Sequence, residues 1–156
     1  MSVLENTDQQ SYVLVQIGQR RFAVSATTVS ELAPPVRLHQ FPQTSPLVAG
    51  VIVRRGRIVP VYDVSRILDG KNSPAHRFYL VATRDFGTVR EASAIPADGE
   101  CELVTAPITT ADATSPKYIS GTITVGEESI QVLDLNALVA SANTEPSEIE
   151  YPRSRA

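Results

Sequence analysis

Three arginines stand within four positions, Arg54-Arg55-Gly56-Arg57, inside the stretch GVIVRRGRIVPVYDV at residues 50–64. Guanidinium groups in such a cluster can grip phosphate, hold a carboxylate bidentately, or sit solvated at a hairpin tip. The other residues able to do chemistry are scattered. His39 and His76 lie far apart and have no cysteine, histidine or carboxylate at metal-ligand spacing. Cys101 is the single cysteine, so neither an internal disulfide nor a thiolate metal cluster is expected. Serines and threonines are plentiful, but no nucleophile elbow or triad spacing appears. No glycine-rich phosphate loop occurs. Asp112 stands in an alanine- and threonine-rich stretch, which does not suit a phosphoryl acceptor. The pattern points to binding rather than catalysis, with no metal and no cofactor.

The elements around the arginines read as short strands. Val51–Val53 and Ile58–Val61 flank the cluster, so Leu47 to Val53 and Arg57 to Tyr62 form a predicted hairpin with Arg55-Gly56 at its tip. Gly56 supplies a positive φ there, and Pro60 marks an edge or a bulge. The segment DVSRILDG follows as a short helix, with Asp63 or Ser65 as N-cap and Gly70 as stop. Upstream, Tyr12 to Ile17 and Arg21 to Val24 make a hairpin. In SATTVSELAPP, Val29 and Leu32 at i and i+3 predict one helical turn, stopped by Pro34 and Pro35. VRLHQFPQTSP reads as a proline-broken loop or edge strand. HRFYLVATRDFGTVREA reads as another hairpin and ECELVTAPI as a strand. Tyr118 to Val125 and Ser129 to Leu133 form a last hairpin around Gly126-Glu127, followed by DLNALV as a short helix. LVAGVIVRRGRIVPVYDVSRIL and YISGTITVGEESIQVLDLNALV share one grammar: apolar pair, small residue, glycine, strand, polar turn, strand, aspartate, short helix. A repeated supersecondary unit predicts two similar lobes, and short strands at close spacing predict small antiparallel β-barrels.

Composition bounds the function. The chain has 156 residues, 42% hydrophobic and 20% charged, ordinary for a globular domain with a sizeable core. A formal net charge of −3 argues against a general nucleic-acid binder. The first residues, MSVLENTDQQ, lack a basic region and an apolar run, so no signal peptide is expected. No run approaches the ~20 apolar residues of a spanning helix. A lone cysteine fits a reducing cytosol.

The segments FAVSATTVSEL, LVAGVIVRRGRIVPVYDVSRIL and YISGTITVGEESIQVLDLNALV resemble the CheW-like domain family, over about residues 11–140. The middle motif carries most of the likeness: Gly50-Val51, Arg55-Gly56, Ile58-Val59-Pro60-Val61 and Asp63. The resemblance implies an all-β fold of two SH3-like five-stranded β-barrel subdomains with short helices. It implies intertwined lobes at roughly 11–75 and 76–140; outside them lie a disordered tail over 1–10 and, polar and proline-punctuated, a flexible tail over 141–156. It also implies a non-catalytic cytoplasmic adaptor, reaching the inner face of the membrane only through receptor arrays. Such an adaptor couples a chemoreceptor hairpin tip to the regulatory domain of a CheA-type histidine kinase. Val29 and Glu31 match kinase-binding positions; Gly50, Val51, Arg55, Leu103 and Val104 match receptor-binding ones. For Val29, Val51, Leu103 and Val104 simple core packing competes with that role, for Gly50 a close backbone approach does, and for Arg55 a turn arginine bonding local carbonyls or a carboxylate such as Asp63 does. Arg54 and Arg57 are expected to point to alternate faces and to be solvated. Val53-Arg54 replace the family's Asn-Leu, and the stretch FGTVREASAIPADGECELV is more polar than the family pattern, which suggests a weaker strand or a longer loop. The alternative from another class is an SH3-like module that binds nucleic acid or another anion through Arg54, Arg55 and Arg57.

Overall fold

The computed structural model describes residues 9–40, 48–69, 78–86, 88–99 and 101–141. In chain order the elements are β1 (Gln9–Ile17), β2 (Arg20–Ser25), a 3-10 turn (Ala26–Thr28), β3 (Val29–Ala33), β4 (Val48–Arg54) and β5 (Arg57–Tyr62). Helix α1 (Ser65–Asp69) precedes β6 (Phe78–Phe86), β7 (Val89–Ala97), β8 (Glu102–Pro107), β9 (Thr109–Thr110), β10 (Ile119–Val125) and β11 (Glu128–Leu133). Residues 135–141 form helix α2. Two sheets result, with strand orders β8-β1-β2-β11-β10-β9 and β3-β6-β7-β5-β4. Each is built from two antiparallel hairpins joined by one parallel contact, β2 with β11 and β5 with β7.

Alternation along the strands divides the apolar residues among three clusters. Tyr12 and Leu14 on β1 point into the six-stranded sheet's own interior, with Ala23, Ile123, Ile130 and Val132. Their neighbours Val13, Val15 and Ile17 point the other way, into a cluster shared by both lobes. On the five-stranded sheet, Ile52, Val59, Val61, Tyr79, Val81 and Ala94 fill its own interior, while Leu80, Ala82 and Ile95 join the shared cluster. A strand buried on both faces reads as a continuous apolar run, which is why SYVLVQI shows no polar alternation. Val64 and Leu68 around α1, and Leu135, Leu138 and Val139 on α2, close the shared cluster.

The repeat seen in the sequence has a structural counterpart. Both β4 and β10 carry an irregularity before a glycine, between Val48 and Gly50 and between Ile119 and Gly121. At each glycine an outside backbone presses in: a Cβ on Gly50 would lie 2.6 Å from the His39 carbonyl oxygen, and one on Gly121 would strike the Thr109 carbonyl. Each unit ends in a capped helix. Asp63 Oδ1 accepts from the Ser65 hydroxyl (2.6 Å) and backbone N–H (3.3 Å), and Asp134 Oδ1 accepts from the Ala137 N–H (3.2 Å).

Four expectations change. The chain does not divide at its middle: β1, β2 and β8–β11 build one sheet and β3–β7 the other, so 11–75 and 76–140 do not mark the lobes. The helical turn in SATTVSEL ends at Thr28, and Val29, Glu31 and Leu32 lie in β3, paired with β6. Pairing to a nine-residue neighbour outweighs one i, i+3 coincidence over so short a span. The polar, alanine-rich stretch holds a full strand, β7, placed between β6 and β5. β1 begins at Gln9, inside the stretch assigned to the tail, because Gln9 and Gln10 pair with Pro107 and Ala106. Residues 1–8, Gly70, His76 and 142–156 lie outside the described residues.

Candidate functional site

The register of β4 and β5 sets the geometry of the arginine cluster. Val51 faces Pro60, Val53 faces Ile58, and Arg54 faces Arg57. The turn residues are Arg55 at φ 55° and Gly56 at φ 77°. Two positive φ values in a two-residue loop are the pattern of a type I′ hairpin turn, whose twist suits the flanking strands. Gly56 adopts it freely; for Arg55 the left-handed region costs about 1 kcal/mol.

Arg54 and Arg57 share the face that Ile52 and Val59 turn to the sheet interior, rather than alternating. Arg54 is not solvated. Its Nε donates to Glu31 Oε2 at 3.1 Å, and its Nη2 makes a second bond to the same oxygen. The two side chains are 23% and 16% exposed. Glu31 is on β3 and Arg54 on β4, the first and last strands of the five-stranded sheet. The pair therefore ties the sheet's two edges together over one end of its apolar interior. The hydrogen bond from Arg54, helped by the charges of Arg54 and Arg55, holds the Glu31 carboxyl below its ordinary range despite burial; the same bond raises Arg54. Arg55 and Arg57 are exposed, and no acceptor among the described residues bonds to either guanidinium.

The opposite face of the hairpin is apolar. Val48 and Tyr62 are packed into or against the shared cluster. One step toward the tip, Val51 and Pro60 are half-buried. Beyond them Val53 is 48% exposed and Ile58 71%. The stripe thus runs out from the core along the hairpin to the arginines. Sequence reasoning missed Val53 and Ile58; pairing the two strands in register about the Arg55-Gly56 turn brings them together.

The remaining site residues divide between the sheets. Gly50 is buried beneath the His39 backbone, which Val51 holds through N–H to oxygen bonds of 2.8 and 2.9 Å in the two directions. His39 is engaged here through its main chain. Val29 is half-buried against the shared cluster. Leu103 and Val104 are on β8, opposite Val13 and Tyr12. Val104 packs against the six-stranded sheet's own interior, whereas Leu103 lies on the face turned to the shared cluster and is 68% exposed. The structure brings Gly50, Val51 and Arg55 together on one hairpin and Glu31 beside its arginines, with Leu103 and Val104 on the other sheet.

Among the described residues no group of three or more His, Cys, Asp and Glu could hold a metal. Burial pushes the Cys101 thiol up, away from the reactive thiolate. Asp112 accepts from the Thr114 hydroxyl (2.6 Å) and N–H (3.0 Å), a local turn that holds its carboxyl below the usual range. No described helix is long and apolar enough to cross a membrane. A cleft of about 290 Å³ between the lobes is lined by Ser25, Thr27, Thr28, Thr83 and Asn136 among others. It is polar and open, unlike the mostly apolar pockets that enclose small ligands.

Comparison with known proteins agrees with the fold. The CheW-like domain model matches residues 11–143. No match is found among curated proteins. The crystal structure of the scaffolding protein TtCheW from Thermoanaerobacter tengcongensis superposes with a TM-score of 0.66 at 17% identity, over 83% of this chain and 86% of that one. A similarity at that identity speaks for the fold of two SH3-like barrels; the family match, spanning both sheets and both repeat units, establishes that the chain belongs to the CheW-like domain family.

Proposed function

We propose that the chain is a non-catalytic cytoplasmic scaffold that couples chemoreceptors to a CheA-type histidine kinase in a chemosensory array. The family match over residues 11–143 carries this reading. In it, Val29 and Glu31 contribute to the contact with the kinase regulatory domain. Gly50, Val51, Arg55, Leu103 and Val104 contribute to the contact with the receptor hairpin tip. Gly50 and Val104 act there by holding backbone and core in place, since both are turned inward. The mechanism is geometric. Two separate surfaces on one rigid body keep receptor and kinase at a set distance, and many weak contacts in a lattice make the assembly firm by avidity.

The alternative, an anion-binding module, loses one of its three cations to Glu31. The test is a reconstitution with a chemoreceptor and a CheA-type kinase from the same cell. Co-sedimentation of all three, dependent on the scaffold, is the expected result. Failure of the purified chain to bind either protein at micromolar concentration would remove the coupling role.

A further inference from the structure

The repeat contains its own control. Gly50 and Gly121 occupy matching bulged positions, and from there the two hairpins run in the same register to Tyr62 and Leu133. Position by position, Val51 corresponds to Thr122, Val53 to Thr124, Ile58 to Ser129 and Pro60 to Gln131. The backbone pairing is the same, and the inward residues are apolar in both: Ile52 and Val59 against Ile123 and Ile130. Between the glycine and the tip the outward stripe differs, apolar on β4–β5 and polar on β10–β11. The polar version shows that this hairpin folds and docks without apolar residues on its outer stripe. Val53 and Ile58, at 48% and 71% exposure, are therefore not explained by folding. Single exposed apolar residues are ordinary, but a contiguous cross-strand patch rimmed by charge marks an interaction surface.

The rim charge names the chemistry of the partner. Arg55 sits at the tip of the stripe and Arg57, next to it, on the hairpin's other face; neither has an acceptor among the described residues. Arg55 holds a strained φ of 55°, where asparagine or glycine would sit more cheaply. A second copy of this chain is a poor mate. Its corresponding tip is acidic at Glu127 and Glu128, but the stripe beside that tip is Thr122, Thr124, Ser129 and Gln131, and Glu128 is already paired with Arg21 at 2.6 Å. We infer that the outer stripe of β4–β5, Val51, Val53, Ile58 and Pro60 with Arg55 at its tip, is a docking surface for a different protein. That protein presents an apolar row bordered by carboxylates. From the scaffold role the inference takes only that the surface meets a protein.

The test replaces Ile58 with a photo-crosslinking amino acid in the full chain, in the native cell, and Ser129 likewise as the matched control. Adducts are identified by mass spectrometry down to the crosslinked peptide. The expected result is an adduct at position 58, absent at 129, on a peptide with apolar residues flanked by Asp or Glu. No adduct at 58 above that at 129 overturns the inference, and so does an adduct on a peptide without flanking carboxylates. An adduct that meets the criterion on a protein other than kinase or receptor upholds the docking surface while counting against the coupling role. A second variant transfers the control's own residues, V53T with I58S. The purified double variant should keep its fold and bind the identified partner about tenfold to a hundredfold more weakly. Unchanged affinity would also overturn the inference.

Discussion

Replacing Gly50 with alanine tests whether this glycine serves the fold or the partner surface. Its φ of +155° lies where side chains other than hydrogen are strained. The new Cβ would sit 2.6 Å from the His39 carbonyl oxygen and 3.2 Å from Leu38 Cγ and Cδ1. His39 cannot simply back away, because its main chain exchanges two hydrogen bonds with Val51, at 2.8 and 2.9 Å. Backbone strain of about 1–3 kcal/mol adds to partial loss of two bonds worth about 0.5–1.5 kcal/mol each. The expected destabilisation is about 2–6 kcal/mol, a large share of the roughly 5–15 kcal/mol available to a domain. With a urea slope near 2 kcal/mol/M, the midpoint should fall by about 1–3 M. Circular dichroism across a urea series reads it directly. Gly121→Ala, which strikes Thr109 in the same way, should also be severe. Gly56→Ala, with φ +77° and nothing within 4 Å, should cost only about 1 kcal/mol. A Gly50→Ala midpoint within about 0.3 M of the parent, which is under 1 kcal/mol, would refute the packing argument.

Three further outcomes follow from the same geometry. Because Arg54 lowers the Glu31 pKa, that pair's stabilisation is present above the ordinary carboxylate range and is lost as pH falls through the depressed folded value. Glu31→Gln should therefore melt below the parent at neutral pH, with the gap closing in acid; a gap constant with pH would refute the linkage. Arg55→Asn should relieve turn strain and raise the melting temperature by about 2–4 °C, while weakening partner binding; a lower melting temperature would contradict the turn assignment. Arg20 donates to the Leu68 carbonyl (3.0 Å) and to Gln131 Oε1 (2.7 Å), and lies over the Phe22 ring at 4.8 Å. Arg20→Ala should cost about 1–2 kcal/mol, read by thermal unfolding, with an unchanged midpoint dismissing it as a tie between α1 and the six-stranded sheet.

The hairpins were legible because each joins β-rich runs across a turn containing glycine: Gly18, Gly56 and Gly126 all adopt positive φ. The repeat was legible because its caps, glycines and apolar residues recur at matching spacing. β7 was obscured because its buried residues include Ala94 and Ala97, whose small side chains give little hydropathy signal yet suit a strand flanked by two others. The strand character of Val29–Ala33 came from its pairing with β6, which no local pattern announces. Similarly, Arg54 and Glu31 are 23 residues apart, and only closure of the sheet brings them together. The membership of the lobes was hidden for the same reason. A repeat reports two similar units but says nothing of which early strands each unit recruits.

That exchange of strands has a consequence for synthesis. The β1–β2 hairpin emerges before the other strands of the fold, yet its parallel partner β11 is made after all of them. Arg20 must wait for Gln131, 111 residues later. At ordinary elongation rates this is roughly 5–20 s. During that interval Phe22 and Val24 have no strand to cover their open side, while the intervening five-stranded sheet can already form. The nascent chain thus carries an apolar, half-made sheet edge out of the ribosome, the kind of surface that holdase chaperones shield. Truncation from the C-terminal end should strand the N-terminal hairpin permanently, so fragments ending before β10 are expected to precipitate rather than to yield a free lobe.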